Sequence, residues 1–369
     1  MRVVFVQKFV PHYRLPFFEG LRARLAEDGH ELVLLYGEPD PFEGSKVRMA
    51  YPDWGIRTPS SIRRVAGRYL YWQGAHRHVK RGDLVVVEHA AKLLDNYLLF
   101  LMRQAGRIRL GYFGHGQNFQ AKNELAISAW VKRRMLADID RWFAYTSVSH
   151  DSLVRQGVSD ERITVVNNTL KPAAGARPND VPEPLTFAYV GGLYREKLLP
   201  LLVDACTLVA EARHGFVLEV VGDGPDAPWL REQASTRPWL RVHGSLYGEE
   251  RDAVLVRSAA ILMPGLVGLI VVDAFQFARP LITSDAGEHS PEIAYLEDGV
   301  NALVTHGESI TARDYADTVL RFIDDPDLVA RLRAGCLEAA ERYSIKAMVD
   351  NFHEGVRAVF DADGKGKTE

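Results

Sequence analysis

The sequence predicts an α/β protein of two doubly wound, Rossmann-like domains, and three observations predict it. Short apolar runs alternate with amphipathic helical stretches along most of the chain, as parallel strands joined by crossover helices do. A proline-rich segment without hydrophobic period, PAAGARPNDVPEP at 172–184, divides the alternation into two series. The length of 369 residues exceeds what one ordinary core serves. Domains are expected at 1–171 and 185–344, joined by the linker 172–184, with a last helix and tail over 345–369.

Val3 to Val6 reads as a buried strand. Pro11-His12-Tyr13-Arg14-Leu15-Pro16 leads into an amphipathic helix from Phe17 to about Asp28, Gly29-His30 ends it, and Glu31 to Tyr36 is a second strand. A strand, helix and strand in that order form a parallel pair. Further strands fit Leu84–Val87, Ile108–Tyr112 and Trp142–Tyr145, with helical stretches around 92–105 and 124–138. No Gly-x-Gly-x-x-Gly is present, which argues against a dinucleotide site in the first domain. Beyond the linker, Thr186–Val190 opens a new sheet and Gly191-Gly192 precedes a helix through Ala212. Phe216–Val221 runs into Gly222-Asp223-Gly224-Pro225, and later strands fit Arg241–His243, Ala260–Met263, Pro280–Thr283 and Ala302–Thr305. A final helix spans Ile345 to Phe360, and the tail Asp363–Lys367 is expected to fray.

Composition is that of a globular protein, 47% hydrophobic and 25% charged. Cys206 and Cys336 each sit in an apolar helical pattern, so neither a disulfide framework nor a cysteine metal site is expected, and a reducing cytoplasm fits. MRVVFVQKF is too short for a signal-peptide core. The longest apolar tract, Ser258 to Val272, is broken by Pro264, Gly265 and Gly268 and reads as core rather than a membrane span. Charge is uneven: residues 1–170 hold 25 Lys and Arg against 17 Asp and Glu, and the remainder holds 20 against 31. Arg57, Arg63, Arg64, Arg68, Arg77, Lys80 and Arg81 interleave with Tyr69, Tyr71 and Trp72, and Lys132-Arg133-Arg134 adds a run. The pattern suits reversible contact with an anionic membrane, or alternatively a set of solvated helix faces. No nucleic-acid recognition motif accompanies the charge, so nucleic acid is not an expected partner. Asp138-Ile139-Asp140 lies in a helical stretch and Asp361-Ala362-Asp363 in the tail, there is no His-x-x-x-His and no Gly-x-Ser-x-Gly, and no metal is expected.

The chain's chemistry is expected around residues 261–293, which read as strand, glycine-broken turn, helix, strand and loop. Gly268, near a helix start, lets a phosphate approach the backbone where N–H groups are unpaired. Asp273 lies about one and a half turns into that helix, and if the chain carries a nucleotide a carboxylate there can take both hydroxyls of the ribose. Standing alone, such a turn is structural more often than functional.

This stretch resembles the signature of the retaining family 4 glycosyltransferases of GT-B fold. Val267-Gly268-Leu269 stands for Phe-Gly-Leu, Asp273 for the second signature Glu, and Arg279-Pro280-Leu281-Ile282 for the closing Pro-hydrophobic-Ile block. Gly265 stands where the family has its first Glu. Val190 to Lys197 is similar to the family's Gly-Arg-Leu-x-x-Glu-Lys-Gly, with Lys197 on the Lys and Gly192 in place of the Arg; Arg195 in the same loop would return the charge. Gly222–Pro225, Glu288–Glu292 and Asn301–Val304 match further blocks, so the resemblance covers 187–304. His115, between Gly114 and Gly116, resembles the family histidine that contacts the donor sugar, and His12, Tyr13 and Arg14 occupy the loop that shapes the acceptor pocket in this fold.

The resemblance implies two domains facing a central cleft and a metal-independent transfer with no cofactor beyond the nucleotide-diphosphate sugar donor. Gly191, Gly192, Arg195, Lys197, the backbone of Leu266, Val267, Gly268 and Leu269, and Asp273 would hold that donor, with His115, Lys197 and Arg195 at the reacting centre. It implies front-side attack by a hydroxyl acceptor, the leaving phosphate taking its proton. The basic first domain suits assembly of an acidic surface polysaccharide, a glycolipid or a lipid-linked oligosaccharide, at the cytoplasmic face of a membrane. A GT-B-like nucleotide-sugar epimerase and a nucleotide-binding pseudo-enzyme, the latter motivated by Gly265, are the alternatives.

Overall fold

The structure, a computed structural model, describes residues 1–40, 49–65, 68–116, 134–171 and 173–365. The chain forms two compact units, Met1–Lys171 with Ile345–Glu369, and Pro172–Ser344.

The first unit runs β1 (Arg2–Gln7), a 3-10 turn (His12–Arg14), α1 (Leu15–Glu27), β2 (Glu31–Tyr36), β3 (Ile56–Arg57), β4 (Ser61–Val65), β5 (Arg68–Trp72), β6 (Leu84–Glu88), α2 (Asp95–Gln104), β7 (Arg109–Gly114), β8 (Arg141–Ala144), α3 (Ser147–Arg155) and β9 (Ile163–Val165). Seven strands form a parallel sheet in the order β3-β2-β1-β6-β7-β8-β9. Alternation along β1 sends Val3 and Phe5 into one core and Val4 and Val6 into the other.

The second unit runs β10 (Glu183–Val190), α4 (Leu199–Ala212), β11 (Val217–Val221), α5 (Ala227–Ser235), β12 (Leu240–Gly244), α6 (Glu249–Arg257), β13 (Ser258–Leu262), α7 (Ile270–Gln276), β14 (Leu281–Ser284), β15 (Ala302–Thr305), α8 (Ala312–Asp324) and α9 (Pro326–Arg342). Its six strands are parallel in the order β12-β11-β10-β13-β14-β15. Both orders reverse direction beside the first strand of the unit, the doubly wound pattern.

The last helix, α10 (Ile345–Lys365), belongs to the first unit. Met348, Phe352 and Val356, spaced by four, share one face and join the core that holds Phe5. Phe352 stacks on Phe143 with ring centres 3.9 Å apart, and His353 Nε2 lies 2.6 Å from Asp28 Oδ2.

Several sequence expectations are corrected. The tail is helical as far as Lys365, past the Asp363 where fraying was expected. The proline-rich stretch is no loose linker: Ala173 N–H donates to Gln276 Oε1 at 3.1 Å, Gly175 N–H to Asp252 Oδ2 at 3.1 Å, and Arg333 Nη2 to the Pro178 carbonyl at 2.8 Å. The region of basic and aromatic residues is a hairpin rather than helix faces, with β4 and β5 antiparallel. Within it Tyr71 is buried with its hydroxyl on Asp40, and Arg57 pairs with Glu38. Lys132, Arg133 and most of the helical stretch read at 124–138 lie outside the described residues.

Candidate functional site

In the second unit, the two segments singled out by sequence lie against each other. Tyr194 leads into a 3-10 turn over Arg195–Lys197, and Leu198 follows in the left-handed region at φ 54°. Leu266 N–H donates to the Glu196 carbonyl at 2.9 Å, and Lys197 Nζ returns a bond to the Leu266 carbonyl at 2.5 Å, with Met263 Sδ at 3.7 Å. Lys197 is 6% exposed, and no carboxylate pairs with it among the described residues. Burial without a counter-charge pulls its pKa down to about 8.

Gly265 sits in the tightest part of this junction. A Cβ there would meet the Glu196 carbonyl oxygen at 2.4 Å and the Lys197 carbonyl carbon at 2.6 Å. Both obstacles are backbone, so the position demands glycine for close approach. The missing signature Glu is thus coupled to packing of the two loops. Gly192 has a similar local cause: a Cβ there would meet the Tyr194 ring at 2.6 Å, and that ring lies 5.5 Å from Lys197 Nζ. Arg195 is exposed and joins none of these contacts.

The helix expected to start near Gly268 begins at Ile270. Its predecessors are held as a loop: Leu266 N–H is bonded to Glu196, and Val267 N–H donates to His289 Nδ1 at 3.1 Å. Because Nδ1 accepts, the His289 proton sits on Nε2, which donates to the Ser284 carbonyl at 2.9 Å. The ring is neutral; burial holds its pKa below the ordinary 6.5. Gly268 and Leu269 follow in the same loop. Asp273 on α7 is 7% exposed and takes a paired contact from Arg251 of α6, Nη2 to Oδ1 at 3.1 Å and Nη1 to Oδ2 at 3.3 Å. Burial raises the Asp273 pKa, with the Arg251 charge opposing it. Sequence reasoning missed His289 and Arg251, each 22 positions from its partner with no local pattern to announce it.

The first-unit candidates gather at the carboxyl ends of β1, β7 and β8. His12 is exposed, Tyr13 half-buried and Arg14 buried. The His115 ring stands edge-on to Tyr145 at 4.4 Å. Gly116, at φ 68°, is required by its turn and by Leu153, which a Cβ would meet at 2.6 Å, so it serves packing rather than exposure of His115. Among the described residues no three His, Cys, Asp or Glu side chains group as metal ligands.

Residues 184–325 match the family described as glycosyl transferases group 1, and residues 17–173 match Glycosyltransferase Family 4. The chain is a family 4 glycosyltransferase. The glycogen synthase of Mycobacterium tuberculosis is 28% identical over 229 residues, 55% of this glycosyltransferase; the chain spans 53% of that relative's length. Among solved structures, Anabaena HepE in complex with UDP superposes with TM-score 0.69 at 14% identity, covering 97% of this chain and 100% of that one. A Staphylococcus aureus TarM mutant in complex with UDP and α-GlcNAc-glycerol superposes with TM-score 0.65 at 9% identity, covering 96% and 99%. A glycosyltransferase from Rickettsia africae gives 0.69 at 12%, covering 98% of each chain. These likenesses establish the GT-B fold of the chain.

Proposed function

We propose that this glycosyltransferase moves a sugar from a nucleotide-diphosphate donor to a hydroxyl acceptor with retention of configuration. The observation that carries the reading is Lys197: a buried ammonium with no carboxylate partner among the described residues, held where the two signature loops join. A cation so placed stabilises negative charge developing on a leaving diphosphate. Asp273, oriented by Arg251, takes the ribose hydroxyls on its remaining lone pairs, and Gly268 and Leu269 offer backbone N–H groups to the phosphates. In the first unit, His115 faces the sugar and the His12–Arg14 turn binds the acceptor. The acceptor oxygen attacks the anomeric carbon on the face the leaving phosphate departs, and its proton passes to that phosphate. The reaction needs no metal, since Lys197 supplies the positive charge. HepE has been crystallised with UDP-glucose, which makes a UDP-sugar the first donor to test. Incubation with UDP-, GDP- and dTDP-sugars, with and without acceptor, followed by NMR of the product anomer, tests the reading. A retained product supports it, whereas isomerised or hydrolysed sugar irrespective of acceptor selects the epimerase alternative. Absence of any turnover despite nucleotide binding selects the pseudo-enzyme.

We also propose peripheral contact with anionic membranes at the cytoplasmic face, in assembly of a surface polysaccharide or glycolipid. Arg63 and Arg64 on the hairpin are exposed, and Leu94, Tyr97 and Leu101 expose an apolar stripe of helical spacing. Leu94 N–H bonds to the Tyr71 carbonyl, so stripe and hairpin are neighbours. No helix among the described residues is long and apolar enough to cross a membrane. Co-sedimentation with phosphatidylglycerol vesicles that weakens with salt is the expected result; binding indifferent to lipid charge excludes it.

A further inference from the structure

Arg14 closes the 3-10 turn after β1 and is 7% exposed. Its guanidinium carbon lies 5.2 Å from the centre of the Tyr145 ring, 5.3 Å from Phe113 and 5.9 Å from Tyr13. Among the described residues no carboxylate pairs with it, and its buried Nη1 donates no hydrogen bond.

Aromatic faces attract the charge but do not accept the N–H bonds that radiate in the guanidinium plane. A cation removed from water with its donors idle is costly, and chains rarely retain one without a partner. The complementary partner is an oxyanion, because two of its oxygens meet the fork of an arginine with two parallel hydrogen bonds. The place also suits a ligand. Arg14 follows β1, Phe113 is the penultimate residue of β7 and Tyr145 follows β8, so the three residues stand at the carboxyl ends of the strands. The sheet order turns back between β1 and β6, and α/β sheets bind ligands beside such a reversal.

We propose that Arg14 binds an oxyanion carried by the acceptor, so that the acceptor is an acidic glycoconjugate bearing a carboxylate or a phosphate. The inference rests on the acceptor role proposed for the His12–Arg14 turn. It adds that the turn selects charge, through a guanidinium packed among aromatic rings that leave its Nη1 for an oxyanion.

The test uses the full chain and three probes, methyl β-glucuronide, glycerol 1-phosphate and the neutral methyl β-glucoside, in calorimetric titrations at low and high salt. At least one anionic probe is expected to bind about tenfold more tightly than the glucoside, with the preference fading as salt rises. Preference for the glucuronide identifies a uronate, and preference for glycerol phosphate identifies a phosphate. Arg14→Gln is expected to abolish the preference and Arg14→Lys to keep part of it, since a lysine restores charge without the fork. Equal binding of all three probes to the unmodified protein overturns the proposal, as does a preference that survives in Arg14→Gln. The first of these outcomes needs no variant, so a misfolded substitution does not shelter the idea. UDP titrated into the same sample keeps the two readings apart. If UDP binds and charge is ignored, the acidic acceptor alone is lost; if UDP also fails to bind, the nucleotide-sugar reading fails with it.

Discussion

Arg279 in the second unit and Arg14 in the first are both closed to solvent, at 0% and 7% exposed, yet their surroundings differ in kind. Arg279 donates to five backbone carbonyls, those of Leu255, Phe277, Ala278, Asp180 and Val256, at 2.6–3.2 Å. Burial pulls its pKa down to about 10, but its donors are occupied and it ties the ends of α6 and α7 to the 173–184 segment. Arg14 packs among three rings, and its buried Nη1 finds no acceptor among the described residues. Lys197 lies between these extremes, with one carbonyl and a thioether. A buried cation whose donors are filled by backbone holds the fold, and one left with idle donors awaits a ligand.

Substitution of the two arginines is the strongest way to break this contrast. Arg279→Met leaves five carbonyls short of a partner and is expected to cost on the order of 3–5 kcal/mol, read as a lower urea midpoint. Arg14→Met removes a desolvated charge and keeps the apolar contact, so stability should shift by no more than ~1 kcal/mol. Equal losses would erase the distinction.

Gly265→Glu comes next. Overpacking against the backbone of Glu196 and Lys197 is expected to cost about 1–3 kcal/mol and to weaken nucleotide binding by separating the loops. A variant that gains activity over an inert parent would instead establish the pseudo-enzyme. Lys197→Ala is expected to lower transfer ~10- to 100-fold, the loss of one charge-assisted contact of about 1.5–3 kcal/mol. Unchanged turnover in a folded variant would move Lys197 to the structural side of the comparison. The smallest effect concerns His289. Its folded pKa lies below 6.5, so as pH falls through 6.5 the unfolded chain binds the proton first. Stability is expected to fall over that window and level off below the folded pKa. The Val267 contact is lost with it, and His289→Asn, which cannot titrate, should flatten the pH profile of nucleotide affinity.

Much of the fold was legible because buried parallel strands are written as short apolar runs, and Thr186–Val190 or Leu84–Val87 admit few other readings. Lys197 was legible through its motif. What sequence concealed depends on distant groups. Gly265 read as a lost carboxylate, whereas its environment is the backbone of residues 196 and 197. Asp273 read as open to a ribose, and Arg251 is already on it. Proline-rich composition showed that 172–184 would be neither helix nor strand through most of its length, but not that its carbonyls would serve Arg279 and Arg333.

The return of α10 to the first unit has a consequence for the order of synthesis. Residues 172–344 of the second unit form one continuous length of chain, whereas the first unit needs a helix translated after all of it. Phe5 and Phe143 are made before the second unit, yet the Phe352 that packs on both is made after it. On the ribosome the second unit has all its strands while the first still exposes an aromatic face, so the earlier-made half is the later one to finish folding. Chains stopped before residue 345 should therefore lean on chaperones through their amino-terminal half.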